Sequence, residues 1–95
     1  MTAAALDMAD LVPRLPRGVR LRHDRARDRW VLLAPERIFE IDEIGVEILQ
    51  ACDGKASVGQ IAERLAASFL APADDVRADV EAFLRDFADK RVIDL

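Results

Sequence analysis

The hydrophobic pattern of this chain changes period at Asp42. Before that residue, apolar and polar side chains alternate over short runs; after it, apolar residues recur every three or four positions. A period of two belongs to a half-buried strand, and a period of 3.6 to an amphipathic helix. The chain must therefore fold as strands first and helices afterwards, a segregated α+β arrangement. Its 95 residues allow one domain and not two.

Residues 1–12 show no capping residue, turn signal or sustained period, which predicts a flexible tail ahead of a single domain over residues 13–95. Pro13 and Pro16 keep the chain extended, and Gly18 opens the alternating run 19–23. The polar stretch 24–29 reads as a turn, and the apolar run 30–34 as a central strand. Pro35 and Glu36 form the next connection, because proline has no N–H for a ladder. Arg37, Ile38, Phe39, Glu40 and Ile41 make the third strand of an antiparallel β-meander.

Asp42 then caps a first helix whose apolar face is Ile44, Ile48, Leu49 and Cys52, and Gly54 ends it. Ser57 and Gln60 have capping-box spacing for a second helix, with Val58, Ile61, Ala62, Leu65 and Phe69 on its inner stripe. Pro72 breaks the chain before a third helix, whose start is marked by Asp74 and Asp75. Val76, Val80, Phe83, Leu84 and Phe87 fall on one arc of that helix. The last residues, 92–95, are expected either to add a strand or to cover the core.

Catalytic chemistry has little to work with. One histidine and one cysteine occur, at positions 23 and 52. His23 ends an alternating strand, which suits a solvated or hydrogen-bonded ring. Cys52 sits on an apolar helix face, where a thiol behaves as a small hydrophobe. A Cys/His zinc set cannot be assembled, and there is no glycine-rich phosphate loop or nucleophile elbow. The expectation is a protein that binds rather than catalyses, with no metal and no cofactor of its own.

Charge narrows the choice of partner. Residues 1–39 hold eight arginines against five carboxylates, whereas residues 40–95 hold six basic residues against thirteen acids. The third helix carries six acids and four bases between residues 74 and 91. A recognition helix with that balance would set carboxylates against phosphates, so a winged-helix nucleic-acid binder is the alternative reading and not the first. No apolar run approaches the roughly 20 residues that cross a bilayer. The first twelve residues carry Asp7 and Asp10 and no basic residue, unlike a secretory signal, and a lone cysteine makes no internal disulfide. A cytoplasmic protein is expected, with no membrane partner.

With these residues laid out, the chain resembles the PqqD family, small peptide chaperones of pyrroloquinoline quinone (PQQ) biosynthesis. The resemblance rests on Pro13-Arg14-Leu15, Arg17-Gly18-Val19-Arg20-Leu21-Arg22 and Trp30-Val31-Leu32-Leu33-Ala34-Pro35-Glu36-Arg37. It continues through Ile48-Leu49, Cys52-Asp53-Gly54, Ile61-Ala62, Leu65-Ala66, Asp79-Val80 and Phe83-Leu84. The ordered pairing of the Leu-Leu-Ala-Pro-Glu-Arg block with the Cys-Asp-Gly helix end is its most specific part. Phe69 stands where many relatives would carry tyrosine.

The resemblance implies a winged helix-turn-helix-like precursor-peptide recognition element: a three-stranded meander followed by a three-helix bundle. It further implies that a precursor peptide, PqqA, adds as a strand beside Arg37, Ile38, Phe39, Glu40 and Ile41. Val76, Arg77, Asp79, Val80 and Phe83 of the third helix would wall that site. It also implies a partner, the radical S-adenosylmethionine (SAM) enzyme PqqE, which would hold the iron–sulfur clusters and S-adenosylmethionine itself. The residues alone leave open which N–H groups of the third strand point outward.

Overall fold

The structure, a computed structural model, describes residues 7–95. Three strands, β1 (Arg20–Asp24), β2 (Arg29–Ala34) and β3 (Arg37–Ile41), form one antiparallel sheet in the order β1-β2-β3. Three helices follow: α1 (Glu43–Gln50), α2 (Val58–Phe69) and α3 (Ala73–Asp89). The change of period at Asp42 is the boundary between sheet and helices.

Each hairpin is closed by its own turn chemistry. In the first, the Asp24 carboxylate accepts from the backbone N–H groups of Ala26 (3.1 Å) and Arg27 (3.4 Å), and Asp28 supplies a left-handed residue at φ +51°. His23 lies one residue before the end of β1, which runs on to Asp24, with Nε2 3.3 Å from Asp28 Oδ1 and its ring 5.0 Å from Trp30. In the second, Pro35 and Glu36 form a two-residue connection, with Glu36 at φ +62°. The connection places Leu32 opposite Phe39 and Leu33 opposite Ile38.

That register divides the sheet into two unlike faces. Leu32 and Ile41 are buried under the helices, whereas Ile38 is 70% exposed on the far side. The helices complete the core with Ile48 and Leu49 of α1, Val58 and Ile61 of α2, and Val80 and Leu84 of α3. Among the described residues the core contains no buried polar or charged side chain.

The helix starts are those the sequence marks. Asp42 accepts from the Gly45 N–H at 2.7 Å, capping α1. Ser57 and Gln60 exchange both bonds of the capping box, at 3.2 and 2.9 Å. Asp74 and Asp75 lie in the first turn of α3, whose cap Pro72 supplies no side-chain bond. Two apolar residues sit outside the stripes drawn for them: Ile44 is 52% and Phe69 43% exposed. The buried arc of α1 comprises Gly45, Val46, Ile48 and Leu49, which leaves Ile44 at its edge. Phe69 is the last residue of α2, where Leu70 turns left-handed at φ +51° and carries the chain off the core.

The segment ahead of the sheet differs from the loose tail expected over residues 1–12. Residues 1–6 lie outside the described residues. Residues 7–12 form a short 3₁₀ turn, Met8–Asp10, docked on the helices. The reason is a hydrogen-bonding need. The first N–H groups of a helix have no acceptor within it, and Leu11 C=O accepts from Val58 N–H at the head of α2 (2.8 Å). Pro13 C=O accepts from Gly54 N–H at 3.2 Å, and Arg14 exchanges two 2.9 Å backbone bonds with Asp94. That bridge settles residues 92–95: Val92 and Ile93 are buried, and Asp94 pairs with Arg14 in an isolated bridge.

Gly45 marks where α1, β3 and α3 meet. A β-carbon added there would lie 2.7 Å from the Ile41 Cγ2 methyl and 2.9 Å from the Phe83 ring. Alanine in place of glycine gains about 0.5–1 kcal/mol of helix propensity, but overpacking costs about 1–3 kcal/mol. Gly45→Ala should therefore lower the stability measured by urea unfolding by about 1–2 kcal/mol. Equal or greater stability would show that the three elements are not in close contact at this point.

Candidate peptide-binding edge

The outer edge of β3 has no paired strand among the described residues. Its free groups can be assigned from the register. A two-residue connection makes Ala34 and Arg37 the closing, hydrogen-bonded pair of the hairpin, and such pairs alternate along an antiparallel ladder. Arg37, Phe39 and Ile41 thus direct their N–H groups toward β2, and Ile38 and Glu40 direct theirs outward. The choice that the residues alone leave open falls on Ile38 and Glu40.

Side chains bridge this strand to α3. The Phe39 ring lies 5.6 Å from Phe87, and Phe87 lies 4.5 Å from Phe83, so a half-buried aromatic row runs from the sheet to the helix. Arg37 donates to the C=O of Lys90 at 2.7 Å, and its guanidinium lies 5.4 Å above the Phe39 ring. Lys90 in turn sits 5.4 Å over Phe87 and pairs with Asp86 at 2.6 Å. Aromatic contacts of this geometry contribute about 0.5–1.5 kcal/mol each.

The ten residues that the resemblance implies divide in four. Arg37, Ile38, Phe39, Glu40 and Ile41 occupy the edge strand as expected, with the Ile41 side chain buried beneath it. Phe83 reaches toward β3 beside Ile41, half-buried Val76 packs against the core two turns earlier, and exposed Asp79 lies one turn before Phe83 on the same side. Val80 is only 1% exposed, so it supports the wall from within the core. Arg77 is two positions from Asp79, hence about 160° away around the helix axis. It turns to the N-terminal segment, where it donates to Glu81 (2.8 Å) and Asp7 (3.3 Å). The Ala9 N–H, with the Arg77 guanidinium behind it, holds the Asp7 carboxyl below the usual carboxylate range. Phe87 and Lys90 complete the margin without having been named as site residues. Phe87 was legible as part of the apolar arc, whereas Lys90 enters through its backbone carbonyl, which carries no sequence signal.

No group of three metal-ligating side chains converges among the described residues. Cys52 is buried and donates to the Ile48 C=O at 3.2 Å. Burial, with the Asp53 charge beside it, pushes the thiol up to about 12. No helix among the described residues is long and apolar enough to cross a membrane.

Comparison with known proteins decides the family. A family model described as coenzyme PQQ synthesis protein D (PqqD) matches residues 29–93. The chain belongs to the PqqD family. It is 51% identical over 86 residues to the PqqA binding protein of Xanthomonas oryzae pv. oryzae, covering 90% of this chain and 94% of that protein. It is 50% identical over 78 residues to the PqqA binding protein of Bradyrhizobium diazoefficiens, covering 82% and 76% respectively. A solution NMR structure of the PqqD truncation of Methylobacterium extorquens PqqCD matches with a TM-score of 0.80 and 45% identity, covering 96% of each chain. That truncation is described as a functional, stand-alone recognition element for ribosomally synthesised and post-translationally modified peptides. The crystal structure of PqqD from Xanthomonas campestris matches with a TM-score of 0.61 and 49% identity, covering 90% of this chain and 96% of that one. The PqqD family match spans β2, β3 and all three helices, and so contains the whole β3–α3 margin.

The Cys52 environment can be checked directly. With a value near 12, roughly one thiol in a thousand is thiolate at pH 9, and the thiolate is the reactive form. Iodoacetamide at that pH should leave native Cys52 unmodified over minutes and alkylate it fully once urea unfolds the chain. Rapid alkylation of the native protein, read by mass spectrometry, would contradict the buried placement.

Proposed function

We propose that this chain binds the PqqA precursor peptide as a fourth strand on the outer edge of β3 and presents it to the radical SAM enzyme PqqE in PQQ biosynthesis. The observation that carries this reading is a strand edge, unpaired among the described residues, beside an aromatic helix margin. An extended peptide can take main-chain hydrogen bonds from such an edge and place alternate side chains against the wall. Relatives half identical to this chain are named PqqA binding proteins, which supplies the peptide's identity.

The chain is not an enzyme; its family is one of recognition elements. On this reading the chemistry performed on the peptide, with its iron–sulfur clusters and S-adenosylmethionine, belongs to the partner, and both proteins work in the cytoplasm. The acids of α3 favour a peptide over a duplex. Asp74, Asp75, Asp79, Asp86 and Asp89 are exposed on it and would meet phosphates unfavourably.

Proline substitution along β3 tests the binding mode, because it removes one N–H without adding charge. Ile38→Pro and Glu40→Pro should stay folded and bind the precursor about 2–10-fold more weakly, the equivalent of about 0.5–1.5 kcal/mol per hydrogen bond. Phe39→Pro breaks the ladder to β2 and should lower fold stability instead, as circular dichroism would report. Normal precursor affinity in folded Ile38→Pro and Glu40→Pro would place the peptide elsewhere.

The two margins of α3 separate the same way. Asp79→Ala should reduce precursor affinity severalfold in a fluorescence titration. Arg77→Ala should leave that affinity unchanged while releasing the contact to Asp7, seen as a shifted Asp7 amide resonance. The reverse pattern would assign the peptide to the α2 side of the helix.

A further inference from the structure

The face of the sheet turned away from the helices is unlike the rest of this acidic molecule. Val31, Leu33 and Ile38 form its centre, with Ile38 70% exposed, and they sit in register with Arg20 and Arg22 of β1. Arg25 and Arg27 extend the basic rim at the adjoining turn, where they line the same shallow concavity as Val31, Leu33 and Ile38. The acids close by are already engaged. Asp24 accepts from two backbone N–H groups of its turn, Asp28 contacts His23, and Glu40 accepts from Arg29 at 2.8 Å. Arg20, Arg22, Arg25 and Arg27 make no ion pair or side-chain hydrogen bond among the described residues.

Four unpartnered guanidiniums gathered on one face repel one another, and an exposed isoleucine adds nothing to the core. Both features become favourable against a surface that brings carboxylates around an apolar centre. A protein suits this face better than a nucleic acid, because a phosphate backbone offers no apolar counterpart to Val31, Leu33 and Ile38, and the outward rows carry no aromatic side chain on which an unpaired base could stack. The face is also continuous with the proposed peptide edge, since Ile38 and Glu40 belong to both. A peptide added beside β3 would widen this surface by one strand.

We infer that the solvent face of the sheet is the docking surface for the protein that receives the peptide, through an acidic, apolar-centred patch on that partner. The inference rests on the handover proposed above and names the face that performs it. The peptide is held at the strand edge, the receiving enzyme lies across the flat of the sheet, and the arginines of β1 and its turn steer the two together.

The test uses the full chain with the precursor and the radical SAM enzyme. Arg22→Glu/Arg25→Glu/Arg27→Glu should weaken binding to the enzyme at least tenfold in a titration while leaving precursor affinity unchanged. The matching triple lysine variant, which keeps the charge, should stay within about threefold of wild type. Wild-type binding should also weaken as salt screens the pairs. Undiminished enzyme binding by the folded triple glutamate variant overturns the assignment of this face, even while the handover stands. Absence of any wild-type binding to the enzyme removes the handover, and the assignment falls with it. A duplex oligonucleotide held by the wild type at physiological salt and released by the triple glutamate variant would also overturn it, giving the face to nucleic acid.

Discussion

The sheet is covered on one face only, and the rest of the molecule depends on that. A three-stranded sheet this small has one side to spend on stability, and Leu32 and Ile41 turn that side onto the helices. Residues from β2, β3, all three helices and the C-terminal segment share a single cluster. Among the described residues that cluster holds the buried core, so the sheet's other face and its β3 edge contribute little to it. The surfaces assigned here to peptide and partner are what remains once the core has been built.

The margin between β3 and α3 is held by contacts of moderate strength. The aromatic row is half-buried, the Arg37 side chain is exposed and Lys90 is partly exposed. Exposed pairs such as Lys90 with Asp86 contribute about 0–1 kcal/mol. Beneath them, Val80 and Leu84 anchor α3 in the core with almost no exposure. The helix is therefore fixed along its inner stripe and only lightly tied along the margin. A peptide bound as proposed would meet side chains that can move without disturbing the packing below.

What could be read from the sequence was local. Asp42, Ser57 with Gln60, and the acids at the head of α3 act within a turn of their own position, so their roles were plain. The alternation before residue 42 gave the three strands for the same reason. What escaped was set by distant partners. Residues 7–12 look featureless because their order comes from Val58 and Arg77, each tens of positions away. Helical spacing already sets Arg77 and Asp79 about 160° apart, but which of the two faces the N-terminal segment was decided by the packing of α3. The outward N–H groups of β3 were ambiguous until the register fixed the closing pair of the hairpin.

The bridge between Arg14 and Asp94 closes the chain into a ring of about eighty residues. Closing a flexible loop of that length costs about 4 kcal/mol in chain entropy. The two backbone hydrogen bonds that form the clasp contribute about 1 kcal/mol each. The clasp cannot draw the ends together by itself. It holds because the sheet and helices bring residues 14 and 94 within reach. The amides of Arg14 and Asp94 both serve the clasp, so their protection from solvent reports whether the ring is intact.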